Sequence, residues 1–258
     1  MAANKDAISF DSPRQLIKWA EDDLQRTVVL WQAFGRENPQ QFTAEQGVDG
    51  WTNVYIEMPG KLPSEINKLA HSISTNIKHT FDQSFHALVK KISSTVKGDA
   101  HFPWRQNPAD FTRYIERFAL DEVYVSFLLE EIQPYWSGEG YDGGDDLLRD
   151  FAYDLNKHKH QIVAGIDAHA NANDIKIVAL EAGKVTVRVP TSSRRVGENK
   201  ILLACSIGPT GHRLEIETMT YLSFKGGRLD RQPLHPTLRY CLSKARVVTD
   251  IFEIFSNN

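Results

Sequence analysis

The chain has little cysteine, little net charge and no long apolar run, and each shortage removes a class of protein. Cys205 and Cys241 are the two cysteines in 258 residues. That is too few for a disulfide scaffold or a cysteine zinc site, so both are expected to be reduced thiols packed as small hydrophobes. A net charge of -3 gives no global basic field of the kind a strong non-specific nucleic-acid binder carries, although a local patch could still serve. No segment approaches the roughly 20 apolar residues that span a bilayer, and the opening MAANKDAISFDSPRQ has no apolar signal core. The expectation is a cytoplasmic protein with no membrane partner. Also missing are a Gly-x-Ser-x-Gly elbow, a His-Glu-x-x-His pair and a dinucleotide fingerprint. Serine hydrolase, zinc protease and Rossmann oxidoreductase therefore have no support.

What is present is ordinary for a globular chain: 41% hydrophobic and 24% charged residues. Ser12-Pro13 is a capping serine followed by a proline suited to the first helical turn. Leu16, Ala20, Leu24, Thr27, Trp31 and Phe34 then recur at helical spacing, with a stop expected near Gly35. Val54, Ile56 and Met58 alternate with polar neighbours and predict one early strand. Pro63-Ser64 opens the clearest helix, where Ile66, Leu69, Ile73, Ile77, Phe81, Phe85, Leu88 and Ile92 form one apolar stripe. Asn107-Pro108 signals another helical region, with a break near Asp121 and an end at Pro134. Asp145 or Asp146 caps a helix whose inner face carries Leu147, Leu148, Phe151, Leu155, His158 and Ile162. Short β-prone runs follow, and a final amphipathic helix carries Leu238, Cys241, Ala245, Val248 and Phe252. The fold class is α+β: a bundle-like helical portion with one early strand, then an antiparallel β-rich portion capped by a C-terminal helix. Residues 1–165 and 174–258 are the expected portions, either as two domains or as one integrated domain, with the boundary in GIDAHANAND at 165–174.

The polar residues of the long helix sort by geometry. His79 and His86 point away from the apolar stripe and read as a solvated face. Asn76, Lys78 and Asp82 lie at its flanks, where they could bond a neighbouring helix or a ligand. Further on, Lys157 to His160 read KHKH. On a helix His158 and His160 are about 200° apart and do not share a metal. Asp154 and His158 share a face and could form a carboxylate–histidine pair, with a buried core histidine as the plainer alternative. The loop from Ser137 to Asp146 has glycines enough to cradle a phosphate. Its four acidic residues oppose an anion, so a surface loop, or weak calcium binding, is the better expectation. Arg194-Arg195 reads as a charged hairpin tip.

Three segments carry a resemblance: NIKHTFDQSFHAL at 76–88, HFPWRQNPADF at 101–111, and EIQPYWSGEG with LLRDFAYDLNKHKHQIV between 131 and 163. In order and spacing they resemble a widespread family of uncharacterised bacterial proteins. That family has an Asn-Leu-Arg-Ser-Ala-Leu-Asp-His helix, a Phe-Pro loop, a Leu-Gln-Pro-Tyr stop and a Lys-His-Arg helix. Its arginine-to-histidine spacing also satisfies the pattern of HEPN ribonucleases. The resemblance implies a bacterial or phage protein, with a site formed by Asn76, Lys78 and Asp82 and by Lys157, His158 and Lys159; the helical spacing adds His158 with Asp154 as the candidate catalytic pair. Lys78 replaces the family's arginine and Gln83 its histidine. Lysine loses the bidentate fork, and glutamine moves no proton. The expectation is a non-catalytic interaction or ligand-binding protein, a homodimer, that needs no cofactor or metal and acts on a protein partner or small ligand. The alternative is a HEPN-like RNA-binding or ribonuclease protein with a degenerate site, with a role in defence.

Overall fold

The computed structural model describes residues 9–57, 60–92, 100–157, 165–178, 184–190, 194–195, 200–208 and 212–256. Helix α1 spans Asp11–Glu37, strand β1 Gln41–Gln46, β2 Thr52–Glu57, and α2 Ser64–Ile92. Helices α3 (Pro108–Ile115), α4 (Glu122–Phe127) and α5 (Asp146–Lys157) follow. Strands β3 (Gly165–Val178), β4 (Thr186–Arg188), β5 (Arg194–Arg195), β6 (Lys200–Ile207) and β7 (Arg213–Lys225) precede the last helix, α6 (Leu234–Ser256). This is the expected α+β class. Among the described residues no helix is long and apolar enough to cross a membrane.

The chain forms two compact units that interleave along the sequence, where the residues alone suggest a single boundary near 165–174. One unit holds Met1–Thr27, Asn67–Gly165 and Phe224–Asn258, and the other Val28–Ile66 and Ile166–Ser223. Strand pairing explains the arrangement. The early β2 pairs antiparallel with the late β6, placing Ile56 beside Ile201, and β1 flanks β2. Segment 165–174 is itself part of a 14-residue strand, β3, paired with β7. The expected single early strand is two, because the polar stretch before Trp51 folds back as β1 with little burial of its own. The expected alternation in β2 also shifts. A register slip between Val54 and Tyr55 turns Tyr55 inward beside Ile56, and Met58 lies outside the described residues. Arg194 and Arg195 form a short strand on β6 in place of a hairpin tip.

In the helical unit the local signals hold. Leu69, Ile73, Ile77, Phe81, Phe85 and Leu88 of α2 are all buried. Asn107 caps α3, its side-chain oxygen accepting the Asp110 N–H at 2.8 Å, with Pro108 in the first turn. The helical region breaks at Ala119, held at φ 48°, before α4 begins at Glu122. Asp145 caps α5 by accepting the Leu148 N–H at 2.9 Å. Aromatic rings fill the centre: Phe85 meets Phe118 at 5.3 Å and Phe252 of α6 at 6.4 Å, the latter ring also fully buried. Truncating such a residue loses both transfer free energy and packing. Phe85→Ala is expected to destabilise the protein by about 3–5 kcal/mol in urea unfolding, whereas His79→Ala, on the exposed side of the same helix, changes stability by under about 0.5 kcal/mol.

Candidate anion-binding site

The polar row on α2 is a fastening. Lys78 Nζ lies 3.0 Å from Asp82 Oδ2, with side chains only 12% and 16% exposed, so the ion pair is well shielded from water. The other oxygen of Asp82 accepts the Phe102 N–H at 3.0 Å, and His101 Nδ1 stands 4.0 Å from it. One turn further, His86 Nδ1 accepts the Ala100 N–H at 3.3 Å. His86 is therefore half-buried and bonded, in place of the solvated residue expected, while His79 is exposed. Asn76 accepts the Thr80 hydroxyl through its backbone carbonyl. Together Asp82 and His86 hold the loop after residue 100. Phe102 and Trp104 are thereby set against Phe81 at 4.8 and 5.0 Å. Lys78, expected to be available to a ligand, has its charge matched by Asp82.

On α5, Asp154 is 6% exposed and its carboxylate is occupied by backbone. It accepts the Arg228 N–H through both oxygens, at 3.1 and 2.8 Å, and the Leu229 N–H at 3.0 Å. The turn after β7 is closed by this carboxylate. Gly227, at φ +73°, makes the approach possible: a Cβ there would sit 2.8 Å from Asp154 Cγ and nearer still to Oδ2. Asp154 is thus a turn clamp. His158 and Lys159 lie outside the described residues, and Lys157, at the end of α5, is exposed.

The clamped turn places a cation. The Arg228 guanidinium lies 4.4 Å from the Trp136 ring centroid and 4.7 Å from that of Tyr153. Its Nη1 is 3.3 Å from Asp150 Oδ1, which also accepts the Trp136 Nε1–H at 2.7 Å. Arg149, next to Asp150 on α5, turns inward. It is 8% exposed, with its guanidinium 4.0 Å from the Trp136 centroid. Arg149 Nε donates to the Arg105 carbonyl at 2.8 Å, but Nη1 is buried without a hydrogen-bond partner. Arg105 itself covers the Tyr114 ring at 3.6 Å and donates to the Trp104 carbonyl. Burial pushes the Arg149 guanidinium down to about 10, the charge of Arg228 and then Arg105 adding to the effect and Asp150 opposing it. At neutral pH Arg149 is still a cation.

A buried donor left unpaired on a charged group is costly, and an absent ion or ligand is one recognised reason for it. Arginine donates only and holds its proton, and guanidinium forks match carboxylate and phosphate oxygens. With no base beside a nucleophile, the arrangement can hold an anion. Among the described residues no group of three or more His, Cys, Asp or Glu could hold a metal ion. Compared with family models, with curated proteins and with solved structures, the chain matches none.

Arg105, Trp136, Arg149, Asp150, Tyr153 and Arg228 are absent from the residues expected at a site. Five of them lie inside segments 101–111 and 131–163. The available signal was Arg149, a charged residue directly after Leu148 on the inner face of α5. The turn clamp has a direct check. Gly227→Ala, which overlaps Asp154 and strains φ, is expected to lower stability by about 1–3 kcal/mol in urea unfolding. Gly226→Ala, where a Cβ meets nothing within 4 Å, is expected to cost distinctly less despite its own positive φ.

Proposed function

We propose that this chain is a non-catalytic binding protein whose ligand carries negative charge and is held at Arg149, with Arg105 and Arg228 beside it. The observation that carries the reading is the buried, unpartnered Nη1 of Arg149 in a cluster of guanidiniums and aromatic rings. A donor this deep suits a small ligand better than a flat protein surface. The polar residues that the HEPN resemblance would make a ribonuclease site support the non-catalytic reading too. Lys78 is paired to Asp82, and Asp154 is bonded to two backbone amides. The RNA-binding alternative draws on the same arginines and rings, since guanidinium and aromatic faces also receive nucleic acid.

Anion binding to the native state alone raises stability by RT ln(1 + [L]/Kd), about 2.7 kcal/mol at a hundredfold excess over Kd. Sulfate should therefore raise the melting temperature of wild type beyond chloride at equal ionic strength, and raise that of Arg149→Gln distinctly less. The general salting-out effect of sulfate is common to both proteins and drops out of the comparison. Equal sulfate responses in the two proteins would contradict the reading.

A further inference from the structure

The charge around Arg149 is not balanced from within. Arg105, Arg149 and Arg228 bring guanidiniums together, and the carboxylate beside them is Asp150. One oxygen of that carboxylate already accepts from both Arg228 and the Trp136 indole. Asp154, one turn along α5, faces the amides of the 226–229 turn with both oxygens. Counted against Asp150 alone, the three guanidiniums retain two positive charges, which a dianion matches. Shape leads the same way. The three arginines come from separate segments: the loop after residue 100, helix α5 and the turn after β7. A planar carboxylate offers two oxygens in one plane and suits a single fork. A phosphoryl group offers three terminal oxygens and roughly two charges. A phosphodiester carries one charge per phosphate and continues as chain on both sides, which a nitrogen as buried as Arg149 Nη1 disfavours.

We infer that the ligand of this site is a small phosphomonoester, bound through its dianionic phosphoryl group; the inference rests on the proposed reading of the arginine cluster as an anion site. Arg149 supplies the buried contact, and Arg105 and Arg228 supply the others as they shift from their ring faces. Asp150 is a positioning residue that fixes Trp136 through its indole N–H.

The experiment is calorimetric titration of the full chain at fixed ionic strength with four probes: glycerol 3-phosphate, dimethyl phosphate, acetate, and a short RNA oligomer with hydroxyl ends. Wild type is expected to bind glycerol 3-phosphate at least tenfold more tightly than dimethyl phosphate or acetate. Arg228→Gln, at a half-exposed side chain, is expected to weaken that binding by tenfold or more while leaving the urea-unfolding midpoint close to that of wild type. Trp136→Phe is expected to remove the accompanying change in intrinsic fluorescence, because Trp136 lies against both Arg149 and Arg228. Equal affinity for acetate or dimethyl phosphate overturns the phosphomonoester inference and leaves the anion site standing. Binding of the RNA oligomer alone overturns it in favour of a polynucleotide. Silence toward every probe, together with equal sulfate responses in wild type and Arg149→Gln, removes both the inference and the site.

Discussion

A guanidinium buried at 8% exposure with one nitrogen unpartnered is the constraint on which the helical unit's other polar features converge. Arg149 needs a carbonyl for Nε, and the loop after residue 100 supplies it through Arg105. That loop is held to α2 by Asp82 and His86. Arg149 also needs a ring face, and Trp136 supplies it, fixed in turn by its bond to Asp150. The second guanidinium against Trp136, that of Arg228, is set by the turn that Asp154 closes. The carboxylates thus act at one remove. They bond backbone amides or orient side chains, and the donors they position are arginines.

Such a site works against stability. Burial lowers the Arg149 pKa to about 10, below the ordinary arginine value, so the fold disfavours the charged form. The unfolded chain therefore binds the proton more tightly than the native protein does. The penalty is therefore present in full at neutral pH and is relieved only as pH rises through about 10 toward the unfolded value. Proteins keep a penalty of this kind where a ligand compensates it, and sites of function are where stability is commonly given up.

The helices were legible because their signals are local. The α2 stripe, the Asn107 cap, the Asp145 cap and the left-handed stop at Gln133 before Pro134 each depend on residues within a turn or two. The strands were legible where they are apolar, as in β6, and hidden where they are polar: β1 is exposed along most of its length, and much of β3 reads as a loop. The interleaving of the two units was hidden because β2 finds its partner almost 150 residues downstream. The site divides in the same way. Asp82 and Asp154 stand out in sequence as polar residues flanking or entering apolar stripes, yet their partners are amides of remote segments that no spacing reveals. Arg149 is the opposite case. An arginine on a helix reads as a solvated cation, because arginines are rarely buried, and only the packing of Trp136 and the Arg105 carbonyl shows otherwise.

The most direct test of Arg149 as a binding group maintained against stability is the unfolding free energy of Arg149→Met in urea, in buffer free of multivalent anions. Methionine keeps much of the apolar contact with Trp136 and removes the buried charge. Stability is expected to lie within about 1 kcal/mol of wild type, or above it, since the lost bond to the Arg105 carbonyl, worth roughly 1 kcal/mol, is offset by relief of the uncompensated cation. A loss of about 3 kcal/mol or more would contradict it, because the guanidinium would then be a structural group already satisfied by the protein around it.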